Sequence, residues 1–285
     1  MSLIIEQRVT IINLINKEKE LDNIMVKAVY LDIDGTLVSF INHRASQKDV
    51  NALRLAKKKG VLLFIASGRH CGVPEEGCII DGLNCLFDGY VCISGQYCYT
   101  SSGDEISKST LDKDDVRAIV KMCNENDIAF TYINESEVRI NKITPLVVQY
   151  NAEIQMPIPR EEPINPDEEI LSMTLYLHGN QEAELLAPII KHSEITKWGN
   201  ETAGVVSKQG SKLIGIEAMN RHFGITMDEV MAIGDAENDL TMIKAAGIGV
   251  AMGNAAEHIR IEADYITKSC EENGIFHAFK HFNII

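Results

Sequence analysis

Residues Val26 to Leu37 read VKAVYLDIDGTL, an apolar run that stops at two aspartates, a glycine and a threonine. Ala28, Val29, Tyr30, Leu31 and Ile33 have the composition of a strand buried on both faces, and Gly35 supplies the turn that bounds it. Such a strand belongs to an open parallel α/β sheet, where ligands bind outside the carboxyl ends of the strands. Asp32 and Asp34 then present two carboxylates, a pliant backbone and a hydroxyl to one crevice. Taken alone, Asp-x-Asp-Gly is equally an ordinary turn, and the rest of the chain decides between the two.

Downstream, Gln47 to Lys59 has helical periodicity through Val50, Leu53, Leu55 and Ala56, and Gly60 ends it. The buried run Val61 to Ala66 then stops at Ser67-Gly68-Arg69. Strand, helix, strand makes a βαβ unit with parallel neighbours, which puts Ser67 at the same sheet edge as Asp32. Residues 86 to 100 read as short strands around Gly89 and Gly95.

Between about Thr100 and Ala203 the texture changes. Leu111 to Asn126 reads as a helix, and Ile128 to Ile133 and Glu137 to Ile140 read as strands. Met156 to Pro166, with four of the seven prolines, is irregular. Ile170 to Leu177 is a half-buried strand, Gln181 to Lys191 a helix and Glu194 to Trp198 a strand. This α+β texture marks an inserted second domain at residues 100–203.

The earlier pattern resumes at Gly210. Helix Ser211 to His222, strand Glu229 to Ile233, the turn GDAEND at Gly234 to Asp239, helix Leu240 to Ala246 and strand Ile248 to Ala251 succeed one another. Helix Ala255 to Glu262, strand Asp264 to Ile266 and helix Asn273 to Lys280 close the chain. The expected fold class is therefore α/β, a doubly wound parallel-sheet body made of residues 25–99 and 204–285. Residues 1–24 read as an N-terminal extension with an amphipathic helix, and Met25 would itself make a natural start.

Acidic residues outnumber basic ones by 41 to 27 in the 285-residue chain, a net charge of −14, so neither nucleic acid nor an anionic membrane is the expected partner. An anionic substrate would need local positive charge from a metal, a lysine or an arginine. No apolar run approaches the ~20 residues that cross a bilayer. The seven cysteines follow no signal peptide and contain no CxxC pair, which fits free thiols in a reducing cytoplasm.

Polar clusters sit at three strand ends: Asp32 with Asp34, Ser67 with Arg69, and Asp235 with Asn238 and Asp239. Carboxylates gathered in one crevice call for a hard cation, and Mg²⁺ suits such donors together with phosphate oxygens. Asp32 is then placed to attack phosphorus as a nucleophile, and Asp34 to act as general acid and base. Lys212, at the start of the helix after the insert, would neutralise phosphoryl charge. In the insert, Arg139, Lys142 and His178 read as solvated surface.

DIDGTL at Asp32–Leu37, ASGR at Ala66–Arg69, GSK at Gly210–Lys212 and GDAENDLTMIKAAGIGVAMGNA at Gly234–Ala255 resemble, in order and spacing, the four motifs of the haloacid dehalogenase superfamily. The last is similar to the Cof-type sugar-phosphatase branch. The resemblance implies a Rossmann-like core and an α/β cap between the second and third motifs that selects the substrate. It also implies Mg²⁺ held by Asp32, the Asp34 backbone carbonyl and Asp235, with Asp239 close behind. Ser67, Gly68, Lys212 and Asn238 would then bind the substrate phosphate. At the cap junction the branch commonly has Asn-Gly where this chain has Ser94-Gly95, and Lys208 is an alternative to Lys212 as the third-motif lysine.

The implied function is a Mg²⁺-dependent phosphatase for a small phosphorylated metabolite, with a sugar phosphate the expected substrate, working in the cytoplasm as a monomer or homodimer. A phosphomutase of the phosphomannomutase type and a non-catalytic binding module on the same fold are the alternatives.

Overall fold

The computed structural model describes residues 25–71, 82–154, 156–199 and 201–285; the expected N-terminal helix and Cys78 lie outside them. In chain order the strands are β1 (Ala28–Leu31), β2 (Leu62–Ala66), β3 (Gly89–Cys92), β4 (Tyr97–Thr100), β5 (Glu105–Lys108), β6 (Phe130–Ile133) and β7 (Val138–Ile140). They continue with β8 (Arg160–Glu161), β9 (Ser172–Tyr176), β10 (Ser193–Gly199), β11 (Thr202–Ser207), β12 (Val230–Gly234), β13 (Ile248–Ala251) and β14 (Tyr265–Ile266). The helices are α1 (Gln47–Lys58), α2 (Lys113–Glu125), α3 (Pro145–Glu153), α4 (Lys212–Phe223), α5 (Leu240–Ala245), α6 (Glu257–Arg260) and α7 (Gly274–His281).

Two compact units result. The first takes the described residues up to Ile65, Leu86–Asp88 and Asn220–Ile285; the second takes those from Ala66 to Cys85 and Gly89–Met219.

In the first unit β1 is wholly buried and lies between β12 and β2 in a run of parallel strands ordered β14-β13-β12-β1-β2. Leu31 stands opposite Ile233 of β12 on one side and Ile65 of β2 on the other. Parallel registers put all carboxyl ends at one edge, so the residues after β1 and β12 emerge together. Tyr30 stacks on Phe64 with ring centroids 4.6 Å apart, and its hydroxyl donates to Asn220 Oδ1 at 2.9 Å. Helix α1 starts where the Ser46 side chain accepts the Asp49 amide, and ends before Gly60, whose φ of +88° suits a residue without a side chain. The buried Asp49 carboxylate accepts the Phe276 amide at 2.7 Å and so ties α1 to α7. Burial raises its pKa despite that bond.

In the second unit β3, β4 and β5 form an antiparallel meander. A six-stranded sheet ordered β10-β11-β9-β6-β7-β8 is antiparallel except at β7–β8. It packs a core of Ile119, Phe130, Met173, Leu175 and Val205 among others. Asp112 caps α2 by accepting the Asp114 and Asp115 amides.

Several elements differ from the sequence reading. Strands β5, β8 and β11 and helix α3 are additions to it, β8 being a two-residue strand paired with β7 inside the stretch Met156 to Pro166 read as irregular. Residues of β11 are buried throughout and form an interior strand, but Ala203 and Gly204 are poor strand formers and interrupt the signal of Thr202, Val205 and Val206. Helix α3 buries Leu146, Val147 and Asn151 and leaves Val148 exposed, so no clean apolar stripe announces it; the Thr144 cap and Pro145 in the first turn start it. The expected helix Gln181–Lys191 shrinks to one wide turn at Glu182–Leu186, and Ala255–Glu262 to Glu257–Arg260. Arg139 is buried rather than solvated: it donates to Glu137, to Glu162 at 3.2 Å and to its neighbour's carbonyl at 2.9 Å. Lys142 pairs with Asp127, whereas His178 is exposed beside Glu201. Among the described residues the cysteines are free thiols, four of them buried, and no helix is long and apolar enough to cross a membrane.

Asp115 joins α2 to β10. Its carboxylate accepts the amides of Lys191, His192 and Ser193 at 3.0, 2.9 and 2.7 Å. Burial works against ionisation, but these donors outweigh it and hold the carboxyl below its ordinary value of 3.8. Asp115→Ala would orphan three amides, and the expected loss in urea unfolding is on the order of 3 kcal/mol. A lowered folded-state pKa stabilises above the unfolded value and ceases to do so as pH falls through the folded one. The gap between parent and variant should therefore close below about pH 4.

Candidate active site

The turn after β1 is closed by backbone bonds from Gly35 N to Val38 O at 2.8 Å, Leu37 N to Asp32 O at 3.3 Å and Val38 N to Ile33 O at 2.7 Å. It leaves Asp32 buried and Asp34 half-buried. Asp235 follows β12 directly, and Asp239 ends the short turn Glu237–Asp239. The Asp32 amide donates to Ile233 O at 3.1 Å, which fixes the end of β1 against β12. One carboxylate oxygen from each of Asp32, Asp235 and Asp239 lies within 4.8 Å of the others. Three oxygen donors at that spacing can hold a hard divalent cation.

The acids are held from several sides. Asp235 accepts the Thr36 hydroxyl at 2.9 Å on one oxygen and the Asn254 amide at 3.2 Å on the other. Asn254 also donates to Gly35 O at 2.9 Å and accepts the Cys270 amide at 2.9 Å, so it bridges three loops. One oxygen of Asp239 accepts the amides of Asp235 and Ala236, both at 3.0 Å. A Cβ on Gly35 would run into the Asp235 carboxylate, and one on Gly234 into Asp239. Sequence reasoning gives Asn254 no role; its only signal is its place in the Gly253-Asn254-Ala255 tail. Thr36 registers there only as a hydroxyl near the acids. Asn238 stands exposed on the same turn as Asp239.

The remaining expected residues belong to the second unit. Ser67 is buried; its amide donates to Val91 O at 2.9 Å and its hydroxyl accepts the Arg69 amide at 3.2 Å. Gly68 and Arg69 are half-buried, and Arg69 donates to the Met156 sulfur at 3.2 Å. The next turn, Ile93-Ser94-Gly95, has φ of +51°, +50° and +91°. Positive φ is strained for β-branched Ile93, and the cost is offset by bonds from Ile93 N to Arg69 O and Ser94 N to Ser67 O, each 2.9 Å. Gly95 lies so close to Ser211 O that no Cβ could fit. Gln96 donates to Ser207 O and Gly210 O, both at 3.3 Å. Lys212 begins α4 behind these contacts and is 1% exposed. Lys208 is exposed and donates to Lys191 O at 3.2 Å.

Residues 29–279 match the family model of haloacid dehalogenase-like hydrolases. The 5-amino-6-(5-phospho-D-ribitylamino)uracil phosphatase YcsE of Bacillus subtilis is 28% identical over 267 residues, which are 92% of this chain and 97% of that protein. A longer relative from Streptococcus pyogenes is 26% identical over 261 residues, and this chain spans 54% of its length. Among solved structures, BT1666 of Bacteroides thetaiotaomicron, a phosphatase of the superfamily, has a TM-score of 0.80 at 31% identity over 92% of this chain and 96% of that one. The subclass IIB sugar phosphatase BT4131 has a TM-score of 0.80 at 34% identity over 91% and 100%. These likenesses accord with a Rossmann-like, doubly wound core and an inserted α+β cap. With the motifs, the strand order and the family match in agreement, the chain belongs to the haloacid dehalogenase-like hydrolases, and within them to the Cof-type branch.

Proposed function

We propose that this hydrolase is a Mg²⁺-dependent phosphatase that cleaves a small phosphorylated metabolite, a sugar phosphate, through an aspartyl phosphate on Asp32. The observation that carries the reading is the approach of Asp32, Asp235 and Asp239 to within 4.8 Å, at the carboxyl ends of parallel strands, in a chain of this family. Relatives that are phosphatases, one of them a sugar phosphatase, support it.

The donors fit the ion: they are carboxylate oxygens, the hard ligands Mg²⁺ prefers, and Asp235 and Asp239 are already oriented by Thr36, Asn254 and backbone amides. In this reading Asp32, the Asp34 carbonyl and Asp235 hold the ion, with Asp239 behind them. When bound, it would offset the charge that builds on the transferring phosphoryl oxygens.

The chain's own groups do the rest. The Asp32 carboxylate attacks phosphorus as the bond to the leaving alkoxide breaks, and the Asp34 carboxyl protonates that alkoxide. Asp34, now a carboxylate, takes a proton from water as the water attacks the acyl phosphate, which frees inorganic phosphate and restores Asp32. Ser67, Gly68 and Asn238 bind phosphoryl oxygens, and the Lys212 ammonium balances their charge. We read residues 25–99 and 204–285 as the core, 100–203 as the cap that selects substrate, and the setting as cytoplasmic.

Phosphate release from a panel of phosphorylated sugars, nucleotides and cofactors, with Mg²⁺ and with chelator, tests the proposal. Release should require the metal and fall below about a thousandth of the parent rate in Asp32→Asn. Normal turnover by that variant would overturn the mechanism, and phosphate moving to a second sugar position without release would mark a mutase. Asn254→Ala should raise the Mg²⁺ concentration for half-maximal activity about tenfold, because Asp235 loses a partner that orients it.

A further inference from the structure

We propose that Phe40 is a specificity-determining residue, its ring an apolar wall for the carbon skeleton of the phosphate ester. The inference rests on the phosphatase reading. Among the described residues Phe40 is the one Phe or Tyr ring that stands largely in solvent, at 62% exposure. Exposing a ring leaves unfavourable apolar hydration in place, which contact with a ligand would remove.

Its position says which ligand. A Cβ on Gly35 would meet the edge of the Phe40 ring at Cε2 and the Asp235 carboxylate alike, so ring and carboxylate border the same small space. Asp235 in turn shares the metal-competent cluster with Asp32. The ring edge therefore stands beside Asp235, one carboxylate removed from the Asp32 oxygen that would carry the phosphoryl chemistry.

The turn beneath the ring is built to keep it there. The buried Ser39 hydroxyl accepts the amides of Ile41 and Asn42 at 2.9 and 3.2 Å and donates to Glu271. The Ser39 amide donates to Arg44 O at 3.2 Å, and His43 N to Ser39 O at 3.0 Å. His43 takes the left-handed φ of +54° that closes the turn.

The acids and the lysine act on the phosphoryl group, which every phosphate ester shares, and so cannot tell one alcohol from another. Phe40 carries no charge and can contribute only contact with the alcohol portion. Flat apolar contact with the carbon-bound hydrogens of a sugar face is what a phenyl ring offers. Contact of this kind is made equally in ground and transition states, so its loss should appear in KM more than in kcat.

The test compares the parent, Phe40→Ala, Phe40→Tyr and Ile41→Ala on two substrates: the phosphorylated sugar the parent hydrolyses best, and acetyl phosphate, which has no skeleton to reach the ring. The ratio of kcat/KM for the sugar to that for acetyl phosphate should fall about tenfold in Phe40→Ala, chiefly through KM. Phe40→Tyr should restore it, and Ile41→Ala, a change at the neighbouring exposed residue, should keep the parent ratio. An unchanged ratio in Phe40→Ala, an equal loss on both substrates, or the same shift in Ile41→Ala would overturn the assignment while the phosphatase reading stands. A parent that releases phosphate from no ester would instead overturn that reading, and this one with it.

Discussion

Three carboxylates brought within 4.8 Å repel one another, and much of the first unit is arranged to make that gathering possible. Two unit charges 4 Å apart at an effective dielectric near 20 oppose each other by about 4 kcal/mol. Part of this is met locally. The Thr36 hydroxyl and Asn254 amide donate to Asp235, and two backbone amides donate to Asp239. The rest would be offset by a cation held between the three oxygens. Gly35 and Gly234 answer the same constraint, since a side chain on either would displace a carboxylate.

In the second unit strain plays the organising part. Ile93, Ser94 and Gly95 all take positive φ, and the turn they form holds the Ser67–Arg69 segment through two backbone bonds. On its other side Gly95 packs against Ser211 O and Gln96 secures two carbonyls before α4, so the position of Lys212 is inherited from this turn. Ser94 stands where the branch commonly has Asn, yet the turn keeps the glycine that the close approach requires.

Much of this is legible from residues alone. The strand ending in Asp32-x-Asp34-Gly35-Thr36, the βαβ unit after it and the glycines at turns all declare themselves through composition and short-range geometry. Elements whose signal depends on their surroundings do not. Strand β11 is interior to its sheet yet includes the poor strand formers Ala203 and Gly204, and α3 buries a set of side chains that makes no regular stripe. Arg139 looks like any surface arginine until Glu137 and Glu162 are seen around it.

By itself, then, the sequence determined which segments become strands and helices in the parallel sheet, and which chemical groups end them, because these depend on neighbours a few residues away. Only the tertiary structure decided which of those groups meet. Asp32 and Asp235 lie far apart along the chain and come together through the register of β1 on β12. Asn254 reaches Gly35 and Asp235 only once that register exists, and the edge of Phe40 finds the same space through a turn closed by Ser39. A hydrogen bond or a contact between distant residues has no local signature, since its partner is supplied by packing.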